Sequence, residues 1–162
     1  MAAPPPSVTE AGRLSWSIFA LARVHRARAA ELLRELGLHP GQELLLMQLF
    51  DRDGQSQSEL LQAVGLDHST VSKSLSRMQD AGLVTRAPSK HDRRVQLVTV
   101  TERGRALRAP IERMWAQLEE VSVHGLDSED VERFVATAAA IQTKLQARLD
   151  TQSDRSTRTR SA

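Results

Sequence analysis

The chain contains neither cysteine nor tyrosine in its 162 residues. Without cysteine there is no disulfide, no thiolate nucleophile, no Cys-ligated zinc and no peroxide sensing through a thiol. Aromatic residues make up only 3%. That is too few for the platforms on which single-strand readers stack successive bases. No apolar run approaches the ~20 residues needed to span a bilayer. The opening MAAPPPSVTEAG lacks a basic start followed by an apolar core, so no secretory signal is expected there. The expectation is a soluble cytoplasmic protein with no membrane partner. Catalytic signatures are missing too. The five histidines are scattered, and there is no H-E-x-x-H, no G-x-S-x-G and no glycine-rich phosphate loop. No enzyme, cofactor or metal site is expected.

The length suits one domain with a core large enough to be stable alone. A formal net charge of +2 and a pI near 9.6 favour a polyanionic partner only weakly. Residues 1–10 are rich in proline and alanine, and the tail from Thr151 carries no hydrophobe larger than its final alanine. Unfolded ends over 1–10 and 148–162 are therefore expected.

The middle of the chain reads as mainly α. Leu14, Ile18, Leu21, Leu32, Leu33 and Leu36 mark a long first helix that stops near Gly37. His39-Pro40 opens a second, with Pro40 in the tolerated first turn, and its apolar residues wrap most of its circumference. Ser56-Gln57-Ser58-Glu59 has the S-x-x-E capping pattern ahead of a third helix that ends at Gly65. Asp67 can cap a fourth that runs to about Ala81 and stops at Gly82. Two short helices joined by a tight glycine turn form a helix-turn-helix. Leu83–Arg86 and Val95–Thr101 read as strands, and the loop 87–94 between them is rich in cations. Thr101 caps a fifth helix from Glu102 to about Val123, which Pro110 should kink. Asp127 or Ser128 caps a sixth. The first, fifth and sixth helices carry more apolar surface than one small core requires, and a helical dimer interface would use the surplus.

The stretch LDHSTVSKSLSRMQDAGLVTR holds the most telling face. Val71, Leu75 and Met78 recur at helical spacing and should point inward. His68, Ser69, Thr70, Ser72, Lys73, Ser76 and Arg77 remain for the surface. Short hydroxyls permit close approach to a groove wall, and lysine and arginine add charge and reach to guanine. Taken alone, this is equally an ordinary solvated helix. The turn before it and the basic hairpin tip after it, with Lys90, His91, Arg93 and Arg94, favour a recognition helix. Such a tip suits an adjacent minor groove, where arginine meets strong negative potential.

The order helix, helix, helix-turn-helix, hairpin, helix, helix resembles the MarR-type winged helix-turn-helix regulators over about residues 11–147. Its most specific parts are SQSELLQAVGLDHSTVSKSLSRMQDAGLVTR and HDRRVQLVTVTERGRAL, the latter with Asp92, Arg94, Val100-Thr101 and Gly104 in the wing pattern. Val100 stands where the family usually has leucine, and His39 where it usually has threonine before Pro40. The resemblance implies a DNA-binding module over 55–101 and dimerisation helices over 11–36 and 102–147. It further implies a homodimer on a pseudo-palindromic double-stranded DNA operator, and repression relieved by a small-molecule effector or another signal. By the family pattern, Gln57 and Ser58 would sit near phosphate and residues 68–77 would read bases. Arg93 or Arg94 would enter the minor groove, with Asp92 bracing an arginine. Trp16, His25, Met47 and Trp115 are effector-pocket candidates by position, with core packing the plainer explanation for each. Such a regulator would act in the cytoplasm, at the nucleoid. A sequence-indifferent architectural DNA binder is the alternative.

Overall fold

A computed structural model describes residues 5–160. Its seven helices are α1 (Arg13–Glu35), α2 (Gln42–Asp51), α3 (Gln57–Val64), α4 (His68–Asp80), α5 (Glu102–Arg105), α6 (Arg108–Val123) and α7 (Ser128–Arg160). The strands are β1 (Gln55–Ser56), β2 (Val84–Pro88) and β3 (Gln96–Val100). Contacts divide the chain into two compact units, Met1–Glu119 and Glu120–Ala162. Among the described residues no helix is long and apolar enough to cross a membrane.

The first unit holds the core. Leu45, Leu46 and Leu49 from α2 meet Leu60 from α3 and Val71, Leu75 and Met78 from α4. Val84, Val98 and Val100 close it from the sheet, and Leu32, Leu33, Ile111, Met114 and Leu118 from α1 and α6. The sequence reading of α2 as central is met, since Leu45, Leu46 and Leu49 are fully enclosed and Leu44 is half-buried. Its start differs. Pro40 and Gly41 form a turn, with Gly41 at φ 92°, and the helix begins at Gln42. The side chains of the first turn reach back to hold that turn. Gln42 Oε1 accepts the His39 N–H at 2.9 Å, and Glu43 Oε2 accepts the Gly41 N–H at 2.7 Å. Burial pushes the Glu43 carboxyl above its ordinary pKa, against the pull of its own and the Gly41 N–H.

The sheet is antiparallel in the order β1-β3-β2. The hairpin pairs Val84 with Val100, Arg86 with Val98 and Pro88 with Gln96. Ala87 and Pro88, read as loop from the sequence, thus belong to β2. Proline is tolerated there because β2 is an edge strand and Pro88 is its last residue. β1 is two residues long, too short to show any alternation in the sequence.

The expected single helix over 102–123 is instead two. Pro110 has no N–H for the Ala106 carbonyl, so the ladder breaks at Ala106-Leu107 rather than kinking. Pro110 then falls in the first turn of α6, where an N–H is not needed. Ser7–Gly12 forms a 3-10 turn, and α7 runs on through the tail to Arg160, since no proline or glycine interrupts it after Gly125. Residues 1–4 and 161–162 lie outside the described residues.

α5 packs so closely on the hairpin root that a Cβ at Gly104 would lie 2.2 Å from the Leu83 carbonyl oxygen. Thr101 fastens the same corner. Its hydroxyl donates to the Gly82 carbonyl at 2.7 Å and accepts the Gly104 N–H at 3.0 Å. Gly104→Ala should therefore destabilise the fold by about 1–3 kcal/mol, the usual cost of forced overpacking, measured by urea unfolding.

Candidate nucleic-acid interface

Two caps set α3 and α4 in place. At α3 a full capping box forms: Ser56 Oγ accepts the Glu59 N–H, and Glu59 Oε2 accepts the Ser56 N–H at 2.8 Å. These bonds, with the Arg52 guanidinium 2.9 Å from Glu59, hold the Glu59 carboxyl down to about 2. Gly65, at φ 63°, ends α3, and Asp67 caps α4 by accepting the Thr70 N–H at 2.9 Å. Asp67 also takes the Ser69 hydroxyl at 2.6 Å and the Thr70 hydroxyl at 2.5 Å. These donors keep its carboxyl far below the ordinary carboxylate range.

Val71, Leu75 and Met78 are fully buried, which fixes the rotation of α4 about its axis. At 100° per residue, Ser69, Lys73 and Ser76 lie opposite that seam, and all three are exposed. Arg77 is exposed on the flank of the same face, whereas Ser72 and Thr70 are half-buried. His68 is exposed but sits nearer the buried side. Asp80 also shares the outward stripe, at its C-terminal end, and tempers its charge there. Gln57, half-buried, and Ser58, exposed, form the first turn of α3, apart from the α4 stripe.

The hairpin tip is ordered by its own bonds. Ser89 N–H donates to the Val95 carbonyl, and the buried Ser89 side chain accepts the His91 N–H. Asp92 was expected to brace an arginine. Here its Oδ1 accepts the Arg94 backbone N–H at 2.9 Å, while its carbonyl accepts the Val95 N–H. The turn so formed leaves Lys90, His91, Arg93 and Arg94 exposed. Among the described residues, none of Lys73, Arg77, Lys90, Arg93 and Arg94 has an acidic partner.

Two residues were not picked out from the sequence. Asp53 accepts the Val100 N–H at 2.9 Å and pairs with Arg105 at 2.5 Å, so it ties the end of β3 to α5. Only the fold brings these positions together, and no local pattern signals it. Arg86 of β2 encloses its Nε and Nη2 without a hydrogen-bond partner among the described residues. In sequence it looks like any surface arginine.

The four effector-pocket candidates differ in surroundings. Trp16 tilts against Phe19 with centroids 5.5 Å apart, Met47 packs on the core, His25 is half-buried and Trp115 is exposed. A cleft of ≈ 190 Å³ lies elsewhere in the first unit, between α1 and α6. Leu32, Leu36, Pro110 and Met114 form its apolar walls, with Glu35, Arg113 and Gln117 beside them.

Lowering pH should separate the α3 cap from the rest of the fold. Glu59 titrates near 2 when folded and near 4.5 ordinarily. Its charge-dependent stabilisation is thus complete above about pH 4.5 and vanishes as pH falls towards 2. The stability gap between wild type and Glu59→Gln should be largest at neutral pH and narrow progressively between about pH 4.5 and pH 2 in thermal unfolding.

Comparison with known proteins fits this geometry. Residues 36–95 match the model of the MarR family. A MarR transcriptional regulator from Methanosarcina mazei Go1 is 23% identical, with 84% of this chain and 97% of that one covered at a TM-score of 0.72. Bordetella bronchiseptica BpsR, whose DNA binding is regulated by 6-hydroxynicotinic acid, is 23% identical, with 86% and 98% covered and a TM-score of 0.72. CouR from Rhodococcus jostii RHA1, solved bound to p-coumaroyl-CoA, is 21% identical, with 81% and 92% covered and a TM-score of 0.68. The match to the MarR family model is confined to residues 36–95, and the chain has the winged helix-turn-helix fold of these solved transcriptional regulators.

Proposed function

We propose that the chain is a sequence-specific double-stranded DNA-binding transcriptional regulator. It acts as a homodimer on a pseudo-palindromic operator and represses until an effector binds. The observation that carries this is the set of five unneutralised cations on α4 and the wing tip. Lys73 and Arg77 stand on the face of a helix whose rotation is fixed by its core seam, and Lys90, Arg93 and Arg94 stand on an ordered turn. A major groove is wide enough for such a helix, and a minor groove draws arginine. Phosphate contacts, Gln57 and Ser58 among them, supply affinity and salt dependence, while base contacts supply selectivity.

Selection of bound duplexes from a random pool tests this reading. A half-site repeat about one helical turn apart is expected. Recovery of unrelated duplexes would support an architectural binder instead. Against the selected site, Lys73→Ala or Arg77→Ala should cost about 1–3 kcal/mol where the side chain reads a base. A smaller, sequence-uniform loss marks a phosphate contact. Arg93→Ala combined with Arg94→Ala should weaken binding at physiological salt, and unchanged affinity contradicts the wing's role.

Homodimer formation is supported by apolar surface that the fold leaves open. On α1, Leu14, Ile18 and Leu21 form a stripe at i, i+4, i+7, with exposures of 60%, 43% and 47%. On α7, Phe134, Val135, Leu145 and Leu149 are all more than half exposed. Contiguous apolar surface of this kind marks an interaction site. Ile18→Asp with Leu21→Asp should shift the protein from dimer to monomer in sedimentation equilibrium. Retention of the dimer rules out α1 as its interface.

Effector response is supported by the two relatives whose ligands are known and by the α1–α6 cleft. At ≈ 190 Å³ the cleft is smaller than the ~300–1,000 Å³ typical of drug-sized ligands. A ligand there acts by its differential affinity for two dimer shapes.

A further inference from the structure

Ser69 and Ser76 share the outward stripe of α4, yet their hydroxyls are in different states. Ser76 makes no hydrogen bond among the described residues, so its proton is free for a base or phosphate acceptor. The single Ser69 proton is committed to Asp67 Oδ1 at 2.6 Å, and the Thr70 proton to Asp67 Oδ2 at 2.5 Å. A hydroxyl has one donor and two lone pairs. Ser69 is left with lone pairs only. We propose that Asp67 fixes Ser69 as an obligate acceptor, so that Ser69 selects the base-pair orientation presenting an exocyclic amine, adenine N6 or cytosine N4, to α4. This rests on the reading of α4 as a recognition helix.

The chemistry of the groove makes the choice sharp. In the major groove only those two amines donate; N7, O6 and O4 accept. Phosphate oxygens accept as well, so a Ser69 hydroxyl held in this way serves neither guanine nor the backbone. The donors on Asp67 keep its carboxylate ionised at any pH used for binding, so it cannot give a proton back. Asp67 touches no base in this account. It is a positioning residue that sets the polarity of its neighbour. Thr70 has the same polarity but is half-buried, so Ser69 is the reader.

The test uses the full chain and duplexes selected with it. Selection is repeated with Ser69→Ala to find the base pair whose preference relaxes. That pair is then synthesised without its amine, as purine for adenine or 2-pyrimidinone for cytosine, and separately with a 7-deaza purine that lacks the N7 acceptor. Loss of the amine should weaken wild-type binding by about 3- to 10-fold, the range of one hydrogen bond, and should not affect Ser69→Ala further. Loss of N7 should leave the ratio of the two proteins unchanged. Asp67→Ser keeps a good helix cap but frees the Ser69 proton, so the penalty for the missing amine should shrink. Coupling of Ser69 to N7, or relaxation at no base pair, overturns the proposal while the DNA-binding reading stands. Failure of wild type to enrich any duplex overturns both.

Discussion

Burial of Val71, Leu75 and Met78 is the constraint on which the candidate interface depends. Three side chains a turn apart, each fully enclosed, leave α4 no freedom to rotate without exposing apolar surface, at roughly 1.5–3 kcal/mol for each large side chain. Everything presented on the far side follows from that one registration. Lysine and serine at 69, 73 and 76 face outward because the core claims the other side of the helix. The interface is therefore built by the same contacts that stabilise the fold. A substitution in the seam would damage both.

The wing is positioned by polar bonds rather than by packing at its tip. Asp53, Thr101 and Gly104 form a corner where the α2–β1 loop, the hairpin root and α5 meet. Asp53 contributes two oxygens to two partners there, the Val100 N–H and Arg105. At the other end of the hairpin, Asp92 and Ser89 close the tip by accepting backbone N–H groups. The acidic residue among the wing cations thus orders the turn instead of neutralising it. The positive charge of Arg93 and Arg94 stays available to an outside anion.

Much of this was legible in the sequence because the signals are local. The S-x-x-E box at Ser56, the Asp67 cap, the Thr101 cap and the glycine stops at 65 and 82 each satisfy backbone groups within a few residues of themselves, and all form in the structure. The helical seam of α4 was equally readable from its spacing. The features that escaped are non-local or double-edged. β1 exists only because β3 lies beside it, and Asp53 acts 47 residues away in sequence. The break at Ala106-Leu107 escaped because the two possible effects of Pro110, a kink or a restart, look the same in the sequence. The hydroxyls of Ser69 and Thr70 were readable as surface groups, but their commitment to Asp67 depends on side-chain geometry that spacing does not encode.

Methylation interference on a duplex selected by the wild-type protein tests the central claim most directly. If α4 occupies the major groove and the wing the minor groove, methyl groups at guanine N7 should block binding in two tracts about one helical turn apart, with adenine N3 methylation blocking at the flanks. Interference spread evenly along the duplex, or confined to the minor groove, would contradict it.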